Sequence, residues 1–492
     1  MKLFKSSFIV IILLLTVKSF AQENIFLNRD FWNTKPTPEI IDQKIKEGNN
    51  PAQSNNNNFD GVVYAILQDA PFKTIVHLLN KPGNDVNKLT HDGRTYIFWA
   101  AYKGNDKLME YLLEKGAKTN IKDDHGFTIL NFAANAGVTN TKVYDLCLKH
   151  GANLTQDLGH FKANALLLAI AKDKDLTITN YFVSKGLDIN STDKYGNGVF
   201  NYASKSGDIN LLNKLLDKGL KGNDNAYLFA AYISRGKSNG IEIYKYLEGL
   251  GLNPNIEHPE EGYTPLHMVA RGKNVEVINY FLNKGLSVNK TDKQGNTPFL
   301  NAVSRNNLEI IKLLQKNVQD INLSNKKGET ALMLAVKSNT AEVVNFLVNK
   351  GANLNALDKK GNNLSYYLVE SYSARNKKSF SEKLSKLKSL SYRLDKAQKN
   401  GKTWYHLAVE KNSIDLLKVA TELNLDINAK DSNGNTALLL AAMKAKDDEI
   451  LKYLLNHGAN KLQTTDFEET AYDLAQENEL LKQNNISIEF LK

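Results

Sequence analysis

The stretch Gly262-Tyr-Thr-Pro-Leu-His267 decides the fold, because closely similar phrases return at a fixed distance along the chain. Gly295, Gly328 and Gly361 follow Gly262 at successive intervals of 33 residues. About twenty residues after each such glycine, a second apolar block closes in Gly-Ala or Gly-Leu, as at 351–352. A period in this range indicates a stacked solenoid, in which each unit packs mainly on its neighbours.

The physical chemistry of one unit explains the phrase. Thr264 is suited to be the N-cap of a helix, and Pro265 fits the first helical position, where a missing N–H has no cost. The apolar spacing from Val275 to Leu282 predicts a second helix. Gly285 is placed to end that helix in a left-handed conformation. Each unit is therefore expected to be a helix–turn–helix.

These phrases resemble the ankyrin repeat, whose pattern is a turn, a Thr-Pro-Leu-His helix start, two helices and a Gly-Ala stop. The resemblance implies an all-α solenoid of about twelve helix-turn-helix units with short turn connections, over residues 59–492. A truncated terminal unit, residues 466–492, is expected to be the C-terminal cap. The expected starts are Phe59, His91, Asp123, Leu158, Asp193, Asp224, Glu260, Asp292, Asn325, Asp358, Lys399 and Asp431.

The residues before the array indicate export and an N-terminal cap. Lys2 and Lys5 precede a short apolar run, and Ser19-Phe-Ala21 fits a cleavage site, so residues 1–21 are predicted to be a signal peptide. The run is too short to span a bilayer. We therefore expect an exported chain without a transmembrane segment, in the periplasm or outside the cell. Residues 22–58 are expected to be irregular apart from a capping helix, Glu39–Lys46.

No catalytic or metal-binding motif emerges from the sequence. The spacings of zinc sites, nucleophile elbows and phosphate-binding loops are absent, so no catalytic residue, metal or cofactor is predicted. His267 and His406 occupy the fourth position of the repeat phrase, where the family resemblance implies a structural role. The lone Cys147 is expected to be a buried core residue. The formal charge of +10 is modest for 492 residues, and no nucleic-acid partner is expected.

The resemblance to ankyrin repeats implies that a protein partner binds the turn tips and the exposed end of each first helix. The basic candidates at these positions are Arg271, Lys293, Arg305, Lys326, Lys327, Lys359, Lys360, Lys399 and Lys402, and the aromatic ones are Tyr102, Phe127, Tyr195 and Tyr263. A row of tip lysines suits an acidic partner. Lysine is abundant throughout the chain, so solubility is the simpler interpretation of the row.

One unit is longer than the others, because Gly361 and Gly401 are 40 residues apart. Its extra segment, Ser371–Arg393, carries several basic residues and an apolar stripe at helical spacing. Such a helix can lie on a membrane or dock a partner. A lengthened second helix, with its apolar side packed and its lysines in water, is the preferred interpretation.

The leading functional hypothesis is a non-enzymatic binding module, monomeric by itself, that acts as an exported scaffold or inhibitor of a periplasmic protein. A secreted effector acting on a host or prey protein is the alternative. An enzyme with scattered catalytic residues is a third possibility, for which the sequence offers no candidate residues.

Overall fold

The computed structural model describes residues 24–233, 236–305 and 307–492. Within these ranges the chain is all-α, with isolated antiparallel bridges such as Ser324 with Thr330 and no β-strand. The predicted signal peptide, residues 1–21, lies outside the described residues. The helices are α1 (Arg29–Asn33), α2 (Pro38–Lys46), α3 (Gly61–Leu67), α4 (Phe72–Leu79), α5 (Tyr96–Tyr102), α6 (Asp106–Glu114), α7 (Ile129–Ala136), α8 (Thr141–Lys149), α9 (Ala165–Ala169), α10 (Thr177–Ser184), α11 (Val199–Ser204), α12 (Ile209–Asp217), α13 (Ala226–Ala230), α14 (Ile241–Gly249), α15 (Pro265–Val269), α16 (Val275–Asn283), α17 (Pro298–Val303), α18 (Leu308–Gln315), α19 (Ala331–Ser338), α20 (Ala341–Asn349), α21 (Leu364–Glu370), α22 (Lys377–Ser389), α23 (Trp404–Glu410), α24 (Ile414–Glu422), α25 (Ala437–Lys444), α26 (Glu449–Asn456), α27 (Ala471–Glu477) and α28 (Glu479–Gln483).

From α3 to α26 the described helices form pairs, one pair for each expected repeat, and α27 with α28 closes the chain. The chain divides into two compact units. The first ends at Tyr202 and includes Asp217–Leu220, and the second comprises Ala203–Leu216 and Lys221–Lys492. Within each unit, the first helix of a repeat packs on its own second helix and on the first helix of the next repeat, as α5 does with α6 and α7.

The residues before the first repeat are more ordered than the sequence suggested. The expectation of an irregular segment before the capping helix is wrong for Ile25–Leu27 and Arg29–Asn33, which form short helices. The reason is local packing, because the Trp32 indole is fully buried and donates a hydrogen bond to the Phe26 carbonyl at 2.9 Å. Helix α2 then packs on α4, where Asp42 lies 2.5 Å from the ammonium of Lys81.

The helix starts follow the expected chemistry. In α17, Thr297 accepts a hydrogen bond from the Leu300 N–H, and Pro298 occupies the first helical position. In α15, His267 Nδ1 accepts from the Thr264 N–H at 3.0 Å, while Nε2 lies 3.2 Å from the Asn296 carbonyl of the next repeat. His406 makes the same set of contacts at α23. The structural role predicted for both histidines is confirmed.

Asparagine side chains join the loop that follows one second helix to the loop that follows the next second helix. Asn289 Nδ2 donates to the Asn317 carbonyl at 2.8 Å, and its Oδ1 accepts from the Gln319 N–H at 3.1 Å. The same two bonds, each to the main chain of the following repeat, are made by Asn87, Asn322 and Asn428. These asparagines fix the spacing between neighbouring repeats.

The extra segment forms α22, a lengthened second helix that packs on α20 and α21. Phe380, Leu384 and Leu387 are buried, as the apolar stripe predicted. The expectation that all of its lysines lie in water is wrong for Lys383, which is only 2% exposed. Its ammonium donates to the Val336 carbonyl at 2.7 Å, near the C-terminal end of α19, where the helix dipole is negative. Burial lowers the pKa of Lys383 to about 8.

The turn glycines differ in how closely the next repeat approaches them. Gly328 and Gly285 both have positive φ, +81° and +84°, but a Cβ on Gly328 would lie 2.6 Å from the Lys359 nitrogen, whereas a Cβ on Gly285 would meet nothing within 4 Å. We expect Gly285→Ala to lower the free energy of unfolding by about 1–2 kcal/mol through backbone strain alone. Gly328→Ala should cost about 1–3 kcal/mol more through the clash. Urea unfolding followed by circular dichroism measures both; equal losses would contradict the close approach.

The buried ammonium of Lys383 should make stability depend on pH. Its pKa is lower in the folded state than in the unfolded chain, so the unfolded chain binds the proton more tightly, and stability must rise as pH rises from about 8 towards 10.5. The full gain is about 3 kcal/mol. We expect Lys383→Met to remove this part of the pH profile in urea titrations. The exposed Lys388→Met, on the same helix, should leave it unchanged. If the free energy of unfolding of Lys383→Met and of the unsubstituted chain changed with pH in the same way, Lys383 would not be the source of the pH dependence.

Candidate functional site

Many of the described turn tips are shaped by one side chain that accepts two backbone hydrogen bonds. Asp292 Oδ1 accepts from the N–H groups of Gln294 and Asn296, both at 2.8 Å. The same arrangement recurs at Asp123, Asp193, Asn325, Asp358 and Asp431. This carboxylate or amide oxygen bonds the N–H groups inside the turn. The side chains of the residues at the tip can therefore face away from the turn, towards a partner.

Backbone hydrogen bonds join these tips to one another in the second unit. The Lys293 N–H donates to the Glu261 carbonyl of the preceding tip at 2.7 Å. The series continues at 2.8–3.0 Å with Lys326 to Gln294, Lys359 to Lys327, Lys399 to Gly361 and Ser432 to Asn400. Six consecutive tips are thereby held in order. In the first unit, the Asp124 N–H bonds the Asp92 carbonyl and the Lys194 N–H bonds that of Phe161.

The lysine row, defined as Lys293, Lys326, Lys327, Lys359, Lys360, Lys399 and Lys402, lies on these linked tips. Two members have acidic neighbours: Lys402 is half-buried and lies 2.5 Å from Glu410, and Lys293 is 3.9 Å from Glu261. The other five are exposed. Within the described part of the chain, none of these five has a carboxylate within 4.0 Å. The structure therefore brings the predicted tip lysines together and leaves most of their charge open to solvent.

Two arginines add positive charge at the ends of neighbouring first helices. Arg271 follows α15 and Arg305 follows α17, and both are exposed. Partial burial and the positive charge of Arg305 lower the pKa of Arg271. The two guanidinium groups thus add positive charge to the same region of the second unit.

The predicted aromatic candidates are not isolated anchors. All four are half-buried, and Tyr102, Tyr195 and Tyr263 pack on neighbouring rings. Tyr102 stacks on Phe132 at 5.5 Å between ring centroids, and Tyr263 stacks on His258 at 4.8 Å. The Tyr195 ring lies 4.7 Å from the ammonium of Lys194. Tyr102, Phe127 and Tyr195 belong to the first unit, whereas the lysine row belongs to the second.

The tips of the first unit hold a charged cluster that the sequence reasoning missed. Arg94 donates to Asp92 at 2.9 Å and to Asp123 at 2.8 Å, and its guanidinium lies 4.3 Å from the centroid of the Phe132 ring. His91 and His125 both approach Asp92, at 3.3 and 3.2 Å. The sequence contained a signal for this cluster: Arg94 directly follows a turn glycine, and the residue after a turn glycine lies at the tip. These contacts satisfy the basic groups internally, in contrast to the lysine row.

Among residues 24–233, 236–305 and 307–492, no group of three or more His, Cys, Asp or Glu side chains is arranged to hold a metal ion. Cys147 is buried, as predicted, and burial raises its pKa to about 12, so the thiol is protonated at neutral pH. No helix of the described chain is both long and apolar enough to cross a membrane.

Comparison with known proteins identifies relatives over parts of the chain. It is 31% identical to alpha-latrotoxin-Lt1a of Latrodectus tredecimguttatus over 132 residues, which cover 26% of this chain and 9% of the toxin. It is 25% identical to putative ankyrin repeat protein L371 of Acanthamoeba polyphaga mimivirus over 259 residues, 50% of this chain and 31% of the viral protein. For the E3 ubiquitin-protein ligase KEG of Arabidopsis thaliana the identity is 23%, over 46% of this chain and 13% of the ligase. The chain thus spans at most about a third of these relatives.

A family model described as ankyrin repeats, in three copies, matches residues 62–157, 228–325, 300–379 and 371–466. Together these matches cover more than half of the chain, in both compact units. They agree with the paired helices, the turn glycines and the linked tips. The chain belongs to the ankyrin-repeat family, whose repeats are protein–protein interaction modules.

Proposed function

We propose that this chain is a non-enzymatic ankyrin-repeat module that binds an acidic surface of another protein through the lysine row and the neighbouring arginines. The observation that carries the proposal is the set of five exposed tip lysines without a carboxylate within 4.0 Å in the described chain, on tips held in order by backbone hydrogen bonds. Charges fixed in a row and open to solvent speed the encounter with a complementary surface and favour it over others.

The arrangement also argues for binding over solubility. Solubility requires only that charges be spread over the surface, and paired charges serve that purpose as well. Some surface lysines outside the row have carboxylate partners, as Lys290 has in Glu257 and Lys411 in Glu370. Arg271 and Arg305 instead repel each other in the free protein. Unrelieved repulsion of this kind is a cost that binding to an anionic surface removes.

The place of action follows from the predicted signal peptide. Residues 1–21 have a basic start, an apolar run and a small-residue cleavage site, which directs a chain out of the cytoplasm. We therefore place the module among exported bacterial ankyrin proteins, with a periplasmic protein as its partner and a role as scaffold or inhibitor. The alternative is secretion towards a host or prey protein, which the same signal peptide would allow. A phenotype seen in co-culture and absent in monoculture would favour this alternative.

Charge reversal tests the lysine row. We expect Lys326→Glu/Lys327→Glu/Lys359→Glu/Lys360→Glu to lose at least about tenfold in affinity for its partner, because four attractive contacts become repulsive. The measurement is affinity capture from periplasmic extract with quantitative mass spectrometry, followed by titration of each captured protein.

The matched control reverses four exposed lysines away from the tips, Lys245→Glu/Lys316→Glu/Lys418→Glu/Lys482→Glu. Its net charge equals that of the tip variant, so it should retain the partner if position rather than total charge matters. Capture of the same proteins at the same strength by the unsubstituted chain and by both variants would refute the proposal.

Export is tested on the chain itself. We expect the protein recovered from the periplasm or medium to begin at Gln22, because cleavage should follow Ala21. Intact-mass spectrometry and N-terminal sequencing check this, with Ala21→Arg as the variant in which cleavage should fail. An unprocessed chain confined to the cytoplasm would exclude a periplasmic partner.

A further inference from the structure

A cavity of about 250 Å³ lies between the repeats of α5–α6 and α7–α8, in the first unit. Its walls are mainly apolar and come from both repeats: Ile97, Met109, Leu113, Ile129, Leu146 and Cys147. Thr119 lines it from the loop that leads to the next turn tip. Interiors of proteins are normally close-packed, so a space of this size between two repeats requires an explanation.

The explanation lies in one position of the repeat. Thr119 stands four residues before Asp123, the residue that shapes its turn. At the same distance before the shaping residue, other repeats carry an aliphatic side chain: Val86, Ile189, Val288, Ile321, Leu354 and Ile427. A threonine contributes less apolar volume at this place, and its hydroxyl donates to the His150 carbonyl at 2.9 Å.

A second repeat follows the same rule. Lys461 stands four residues before Thr465, and it lines a cleft of about 720 Å³ with Ala459 and Leu462. In contrast, Val288 and Ile427 are buried in their repeats. Loss of the apolar side chain at this position therefore accompanies an open space in both repeats.

Two further polar side chains that line the Thr119 cavity already have partners within the protein. The Thr128 hydroxyl accepts from the Asn131 N–H, and Asp157 Oδ2 accepts from the Asn153 N–H at 2.8 Å. Lys122 is exposed to solvent, and the Cys147 thiol is neutral at physiological pH because burial raises its pKa to about 12. The walls thus offer apolar contact and no buried charge that an ionic ligand would neutralise.

We propose that the Thr119 cavity is a binding site for a small, uncharged, mainly apolar molecule such as an aromatic ring. An engineered cavity of about 150 Å³ lined by apolar side chains binds benzene, so the space here admits a molecule of about ten non-hydrogen atoms. This site is separate from the lysine row, which belongs to the second unit.

Indole is the probe that tests the proposal on the full exported chain. We expect saturable binding in isothermal titration calorimetry, and a slower reaction of Cys147, the single cysteine of the chain, with N-ethylmaleimide when indole is present. Thr119→Ile restores the side chain found in other repeats and should weaken indole binding by at least about tenfold while raising the thermal midpoint. Thr119→Leu, which introduces the side chain that Leu354 supplies at this position in another repeat, should act in the same direction.

Thr155→Ile is the matched control, because Thr155 is an exposed threonine in the loop of the next repeat and does not line the cavity. It should bind indole as the unsubstituted chain does. Circular dichroism shows whether each variant is folded, and if Thr119→Ile is not, Thr119→Leu decides the outcome. Absence of saturable binding to the unsubstituted chain, or equal affinity in the folded Thr119 variants, would overturn the proposal.

Discussion

Each repeat depends on contact with its neighbours, because its own helices are too short to be stable alone. Helix α17 has six residues and α18 has eight, well below the length at which isolated helices persist in water. Nearly every residue of α17 is buried, so its apolar surface is covered from more than one side. Burial shared between adjacent repeats supplies the stability that no single repeat can provide.

This constraint also determines where binding residues can be. Much of the helical surface is committed to packing, and the residue that shapes many of the turns is committed to the backbone, so the tips and the exposed helix ends are the positions where binding side chains are expected. Backbone hydrogen bonds between tips then convert separate turns into an ordered series. In the second unit the series carries lysines, and in the first unit it carries Arg94 and Asp92, which satisfy each other. The tips of the second unit thus carry mostly lysines without a carboxylate partner, whereas the tips of the first unit carry charges that are paired with each other.

Much of the fold was predictable because it repeats. The 33-residue period, the Thr-Pro helix start and the terminal glycine each have one local physical cause, and the structure confirms them at α15 and α16. The helices around Trp32 were missed because their burial depends on a contact with a residue outside any repeat. Lys383 was assigned to water because helical spacing does not reveal which face of an inserted helix lies beneath a neighbour.

The candidate site was predictable to a lesser degree. The positions of the tip lysines follow from the turn glycines, but whether a lysine has a carboxylate partner depends on side chains from other parts of the repeat. Lys402 illustrates this, since Glu410 lies eight residues further along the chain and meets it across the first helix. The Thr119 cavity could have been found by aligning the repeats, because the only signal is a missing apolar side chain at one recurring position.

The asparagine bonds between second helices have a consequence for how this protein can change over evolutionary time. The side chains of Asn289 and its counterparts bond main-chain atoms of the following repeat, and the tips are joined through main-chain atoms as well. Substitutions of the exposed tip side chains leave both sets of bonds intact. A lineage can therefore alter what the surface recognises, or gain and lose whole repeats, while the geometry that displays the surface is inherited unchanged.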